Sequence, residues 1–350
     1  MQLMEGIRIA NLKQIAAMAN VSQASVSLVR KGRRGVSDAV RTQIQNLLRE
    51  HGYHYVQYDP QTSLQPAHSG TIQLFVYKKH AMLVDGNDGF VTSIIDALNI
   101  EARHRGHRLS VSVLGPNDDI SSVQAALSTD TDGVLLIATE MSSDELCLFD
   151  SIGVPLVIID SDFISSQFSC VTMNNRELAF FAVQHLLCLG HKQIGYLKSS
   201  VPTGNFRSRS QGYEEALTLA GLCIDEQHTY RLRPTLSGAY QDMCEQLRTS
   251  LPTAFFADND ILALGAIKAL TEAGYRVPQD VSVIGVDNIP FGSVSAPPLC
   301  TMSISCLDIG RWAVALLIQS IAAPDLPKTK IQISASLVRR SSTDAPACVK

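Results

Sequence analysis

Residues 15–32 read IAAMANVSQASVSLVRKG, and the middle of this stretch, VSQASVS (21–27), carries no charge and no broad apolar stripe. Its neighbours place it. Asn11 with Gln14 three positions on makes a capping-box pattern, and Leu12, Ile15, Ala16 and Ala19 fall at the spacing of one helical face. A short helix is expected over 12–18. Asn20 stands where it must end, because Asn is among the few non-Gly residues that accept a left-handed backbone, and Ser22 can cap a second helix reaching Arg30. Two short helices around a three-residue turn make a helix-turn-helix. Ser37 can cap a third helix with Val40, Ile44, Leu47 and Leu48 on its apolar face, ending at Gly52.

If Val21, Val26 and Val29 hold the second helix to a small core, Ser22, Gln23, Ala24, Ser25, Ser27 and Leu28 face outward. Short side chains let a helix backbone sit deep in a DNA major groove, hydroxyls and N-terminal N–H groups can bind phosphate, and Gln can read base edges. Lys31 and Arg33, within RKGRR (30–34), supply phosphate neutralisation and hence salt-sensitive affinity. The competing reading is a helical hairpin with a solvated Ser-rich face; the basic flank and the third helix weigh against it.

Charge points the same way. Net charge is −4, yet residues 1–58 hold eight Lys/Arg against three acids, so a head of +5 sits on a remainder of −9. Only the head is suited to a polyanion. With 350 residues, 45% hydrophobic and 18% charged, the chain is expected to fold into two or three domains with large cores. No apolar run approaches the roughly 18 residues of a membrane span, and no basic segment, apolar stretch and cleavage site open the chain, so a cytoplasmic protein without membrane contact is expected. The eight cysteines show no C-x-x-C pair and no zinc-ligand spacing with His. Reduced thiols packed as small hydrophobes are expected, with no metal and no cofactor.

Residues 59–70 carry Pro60 and Pro66 in a polar setting and read as a linker. From Thr71 the chain alternates apolar runs with helical patterns: TIQLFVY, a helix near 90–105, LSVSVL, a helix near 121–128, DGVLLI, a helix near 142–152, and PLVIID. Such alternation implies a parallel sheet covered by helices. A second series starts near Cys170, with helices at 175–189, 209–221, 237–249 and 260–273 around QIGYL, TAFFA and VSVIGVD. The expected fold class is an all-α head on an α/β body of two parallel-sheet subdomains. The first half is expected over about 71–168 and 302–325 and the second over about 170–296 and 330–345, the late helix returning to the first and the strand KIQISASLV to the second. Ligands bind such sheets outside the carboxyl ends of their strands, which makes Asp160, Asn174, Asn259, Asp260 and Asp287 candidates. Each also admits a helix-capping or loop-fixing role. No GxGxxG, GxxxxGK[ST], GxSxG or HExxH motif is present, so an enzyme is not expected, and His191 in a helix-to-strand connection reads as structural.

LKQIAAMANVSQASVSLVRKG with VSDAVRTQIQNLLREHGY resembles the DNA-binding head of the lactose and galactose repressor family, hDVAxxAGVSxxTVSRVLN…VSxxTRxRVxxAxxxLGY. HLLCLGHKQIGYL, RSQGYEEAL, PTAFFADNDILALGAIKALTEAGYRVPQDVSVIGVDNIPFG, SAPPLCTM and ASLVRRSS are similar to successive blocks of its effector domain. The resemblance implies a homodimeric repressor on a palindromic operator, with residues 1–58 binding DNA and 71–345 binding effector and forming the dimer. Gln23 and Ala24 then fall at base-reading positions, and Leu64 at that of a hinge residue inserted into the minor groove. The effector, expected to be a sugar or polyol, is held by Arg209, Asp287, Asn259 and Phe90, with Asp160 and Asn174 nearby; one branch of the family responds instead to purines as corepressors. Three departures stand out: Leu28 where the family has Arg, Asn174 where it has Asp, and Ile304-Ser305 where it has Gln-Pro.

Overall fold

The computed structural model describes residues 12–30, 35–50, 70–80, 88–163, 167–247 and 250–347. The chain divides into two units, Met1–Ser69 and Gly70–Lys350. Lys31, Arg33, Leu64 and the Asn11 half of the capping box lie outside the described residues.

In the first unit, helices α1 (Leu12–Met18), α2 (Gln23–Arg30) and α3 (Asp38–Glu50) follow one another. Asn20 takes a left-handed backbone, φ 53°, and this lets the Val21 N–H reach the Ala16 carbonyl at 2.9 Å and close α1. The turn brings Val26 and Val29 onto Ile15, Ala16 and Ala19, while Ile44 and Leu48 of α3 complete the core. Ser22 caps α2 through its hydroxyl, which accepts the Ser25 N–H at 3.1 Å. The Ser37 carbonyl accepts the Arg41 N–H at 2.8 Å at the start of α3.

The second unit holds two six-stranded sheets. The first runs β11-β5-β4-β3-β1-β2, from β1 (Gly70–Tyr77), β2 (His107–Leu114), β3 (Thr131–Ile137), β4 (Leu156–Ile159), β5 (Ser169–Met173) and β11 (Lys330–Ile333), all parallel. The second runs β12-β10-β9-β8-β6-β7, from β6 (Ile194–Ser199), β7 (Thr229–Leu232), β8 (Ala254–Ala257), β9 (Ser282–Val286), β10 (Cys300–Ser303) and β12 (Ser336–Val338). Only β12 pairs antiparallel. Helices α4 (Asp88–His104), α5 (Ile120–Ala126) and α10 (Cys306–Ala322) accompany the first sheet. With the second go α6 (Asn175–Cys188), α7 (Gly204–Leu219), α8 (Leu236–Gln246) and α9 (Asp260–Glu272). Strands covered on both faces bury every residue, which is why β4, β5, β8 and β9 are continuous apolar or small-residue runs.

Several expectations need correction. Ser169–Met173 belongs to the first sheet, not the second, and KIQISASLV is two strands, β11 on the first sheet and β12 on the second. The chain therefore passes between sheets after β5, after β10 and between β11 and β12, and β10 precedes the late crossing instead of following it. Helix α7 begins at Gly204, capped by the Thr203 hydroxyl, five residues before the expected start. The segment near 142–152 is a 3₁₀ helix, Ser143–Phe149, and β7 was not foreseen. Of the seven described cysteines, Cys147, Cys188, Cys223 and Cys244 are exposed instead of packed inside, and none forms a disulfide. His191 bridges Thr253 and the Asp344 carbonyl at 2.9 and 2.8 Å, tying the chain's end to the second half. No helix among the described residues is long and apolar enough to cross a membrane.

Candidate functional site

The outward side of α2 is small and polar. Ser22, Gln23 and Ala24 are exposed, and Ser25 and Ser27 are half-buried between them and the Val26–Val29 seam. Leu28 does not simply face out. It is half-buried, and its Cδ1 lies 3.1 Å from where a Cβ at Gly35 would stand, a position whose φ of 119° also favours glycine. Ser37 is exposed at the start of α3.

In the body, Asp160 follows β4, Asn259 follows β8 and Asp287 follows β9, and these strand ends meet Phe90 of α4 and Arg209 of α7 around one small cavity. Asp160 and Asp287 both take positive φ, 61° and 105°, a backbone that costs of order 1–3 kcal/mol for such residues and turns both carboxylates inward. Arg209, 2% exposed, is the hub. Its Nε donates to Asn175 Oδ1 at 2.8 Å, Nη1 donates to the Asp258 carbonyl, and Nη2 faces Met173 Sδ at 3.1 Å and Asp287 Oδ1 at 3.5 Å. The guanidinium lies 5.5 Å from the Phe206 ring centre. Asn175 in turn donates to Asn205 Oδ1 at 3.0 Å, and Asn205 donates to the Asp160 carbonyl and carboxylate at 2.9 and 3.1 Å. Asp160 also accepts from Thr139 at 2.6 Å. Complete burial pushes the Asp160 carboxyl up to about 6, with the Thr139 hydrogen bond and the Arg209 charge opposing and the Asp287 charge adding to the rise.

These side chains fill the space they surround, leaving about 30 Å³, roughly the room of one water. Of the six residues expected to hold an effector, Phe90, Asp160, Arg209, Asn259 and Asp287 line this cavity and Asn174 does not. Asn174 caps α6, its Oδ1 accepting the Glu177 N–H at 3.4 Å, and lines a neighbouring cavity of about 610 Å³. Asn259 likewise caps α9 through Oδ1. Thr139, Met173, Thr203, Asn205 and Phe206 also line the small cavity and were not foreseen. Asn205 and Phe206 lie within one turn of Arg209 on α7; the Thr-Gly pair at 203–204 was a capping signal that would have placed the helix start and revealed these two. Asp260 is structural: its carboxylate holds Thr301 Oγ1 at 2.6 Å and the Ile289 N–H at 2.9 Å.

A helix-turn-helix head joined to a two-sheet body with a polar cleft defines a ligand-responsive DNA-binding protein. Residues 11–55 match the bacterial regulatory proteins of the lacI family, and residues 183–343 match a periplasmic binding protein-like domain. The chain is 31% identical over 338 residues to the HTH-type transcriptional repressor PurR of Mannheimia succiniciproducens, covering 95% of this chain and 98% of that one. It is 28% identical to the repressor CytR of Escherichia coli K12 over 340 residues, 96% and 97% of the two chains. A solved transcriptional regulator CelR–cellobiose complex superposes with a TM-score of 0.70 at 26% identity, covering 95% and 99%. The lac repressor dimer bound to operator and the anti-inducer ONPF shares the fold, TM-score 0.68 over 97% and 100% of the chains. This chain belongs to the lacI family of bacterial regulatory proteins. It is a DNA-binding transcriptional repressor with an effector-binding body, and not an enzyme.

Proposed function

We propose that the cavity around Arg209 and Asp287 is the effector site and that its ligand is a sugar or related polyol. The observation that carries this is the convergence of a planar guanidinium and the Asn205 amide from α7 with two carboxylates from the ends of β4 and β9, beside the rings of Phe90 and Phe206. Such a set can hold adjacent hydroxyls and cover a ring face. In this reading the protein acts as a homodimer in the cytoplasm. Two α2 faces read a palindromic operator with half-site centres about one helical turn apart. Ser22, Gln23, Ala24, Ser25, Ser27 and Leu28 lie in the groove, Lys31, Arg33 and Ser37 neutralise or bind phosphate, and Leu64 wedges the minor groove. Effector binding changes the operator affinity, a coupling typically worth about 1–3 kcal/mol. Since 30 Å³ admits no sugar, the two halves must part for entry.

A purine or nucleoside effector is the second reading; the aromatic pair Phe90 and Phe206 suits a flat base, and the PurR and CytR relatives fit it. The test is a thermal-shift screen of the full chain against sugars, polyols, sugar phosphates, nucleobases and nucleosides, followed by operator gel shifts with each hit. A saccharide that raises the melting temperature and changes operator affinity supports the first reading. A nucleobase or nucleoside hit replaces it with the second.

A further inference from the structure

The small cavity has a much larger neighbour. The cavity of about 610 Å³ beside it lies within the usual ~300–1,000 Å³ of small-molecule sites. Met173 and Asn205 line both, so the two share one wall, which the Asn205 amide helps to form.

The larger cavity's chemistry is specific. Thr172, Ser208, Gln211 and Gln332 line it, and among the described residues none of their side chains makes a hydrogen bond; the Asn174 amide nitrogen is equally unspent. Thr172 is 2% exposed, so its free hydroxyl is available only to what enters this space. The charged lining consists of Arg176 and Arg207 against Asp162, Glu177 and Glu215. Arg176 is already spent on Glu215, Nε to Oε2 at 2.7 Å, and Asp162 on Lys330 at 2.8 Å. With these pairs cancelled, Arg207 stands against Glu177, so a phosphate or carboxylate would meet no net positive charge here. A flat base would find a single ring, that of half-buried Phe180, and no second face to close a stack. Free amides and hydroxyls, no net positive charge and one aromatic face suit an uncharged polyhydroxyl ring.

We infer that the effector is a neutral disaccharide, with one ring in the Arg209–Asp287 cleft and the second, glycosidically linked, in the cavity lined by Thr172, Asn174, Ser208, Gln211 and Gln332. This rests on the sugar reading of the cleft and names the ligand class within it. The second subsite also gives Asn174 a role next to the cleft instead of in it.

Calorimetric titration of the full chain tests this with cellobiose, maltose and lactose, their monosaccharides glucose and galactose, and glucose 6-phosphate. One disaccharide should bind at least about 10-fold tighter than either of its rings alone, a difference of about 1.4 kcal/mol. Ser208→Trp, which fills the larger cavity, and Gln332→Ala, which removes an amide, should each erase that preference while changing monosaccharide affinity less than about 2-fold. Unchanged operator binding in gel shifts confirms that both variants are folded. Equal affinity for mono- and disaccharide with both variants silent overturns the second subsite and leaves the sugar reading intact. Preference for glucose 6-phosphate overturns the neutral-ring assignment. No binding of any saccharide overturns the sugar reading and this inference with it.

Discussion

Arg209 and Asp287 are 78 positions apart in sequence and meet at 3.5 Å between α7 and the end of β9, each side chain less than 5% exposed. The distance is long for a charge-assisted pair, which leaves both groups able to turn to a ligand. Arg209 keeps its bonds to Asn175 and the Asp258 carbonyl without Asp287. Asp287→Asn is therefore expected to fold and bind operator while losing about 10- to 100-fold in effector affinity, the weight of a hydrogen bond to a charged group, ~1.5–3 kcal/mol. Calorimetry and gel shifts on the same preparation check it. Loss of operator binding with a lowered melting temperature would instead give Asp287 a structural role.

Burial pushes the Asp260 carboxyl up to about 8, with the Asp287 charge adding to the rise and the hydrogen bonds from Thr301 and Ile289 opposing it. Between its unfolded value of 3.8 and about 8, the native state holds a proton that the unfolded chain has released, so stability falls as pH rises through this window. Asp160 and Asp258, both pushed up to about 6 by burial, steepen the lower part. Glu145, held at about 2 chiefly by hydrogen bonds from Lys79 and Ser142 against its burial, acts oppositely and costs stability only as pH drops below its usual 4.5. Asp260→Asn should flatten the decline between pH 6 and 8, since a carboxamide can still accept from Ile289 and donate to Thr301. Urea titrations at pH 5, 6, 7 and 8 measure it; parallel profiles for variant and parent would refute the assignment.

Helices α6 and α7 touch at Gly212, where an added Cβ would overlap the Arg176 carbonyl oxygen and stand 3.0 Å from the Ala179 Cβ. Backbone cannot yield as a side chain can, so the overlap outweighs the helical advantage of Ala, about 1 kcal/mol. Gly212→Ala should destabilise by about 1–3 kcal/mol. Gly204→Ala, with nothing within 4 Å of its Cβ, should be neutral or slightly stabilising. Denaturant midpoints of the two variants decide the matter, and equal midpoints would mean that the helix pair is free to shift.

On the head, Gln23 is exposed with no core role, whereas Ser22 caps α2. Gln23→Ala should weaken binding to the preferred operator by about 1–3 kcal/mol and leave binding to unrelated DNA unchanged. Ser22→Ala should lower both affinity and stability, by about 0.5–2 kcal/mol for a lost cap. Competition gel shifts against random DNA separate the two effects. An equal loss on specific and random DNA for Gln23→Ala would place that side chain on phosphate instead of a base.

Much of this protein was determined by signals that act within a few residues. The i, i+3, i+4 spacing and the caps placed α1 and α2 and the start of α3, and Asn20 stood at the left-handed turn that its amide tolerates; the expected end of α3 at Gly52 lies outside the described residues. Apolar runs marked most strands of the body, and the rule that ligands meet strand ends selected Asp160, Asn259 and Asp287. Tertiary structure alone decided the partners. Ser169–Met173 is buried on both sides like every central parallel strand, so nothing in its own residues distinguishes a neighbour in the first sheet from one in the second. KIQISASLV splits between the sheets because Lys330–Ile333 pairs parallel with β5 while Ser336–Val338 pairs antiparallel with β10, an option visible only once both edges exist. For the same reason Asn174, one residue past a strand like the other candidates, falls in the neighbouring cavity: its side chain turns to the first turn of α6, and where α6 lies is set by packing against α7. Local periodicity and capping are short-range energies legible along the chain; sheet membership and the lining of a cleft are settled by burial between elements distant in sequence.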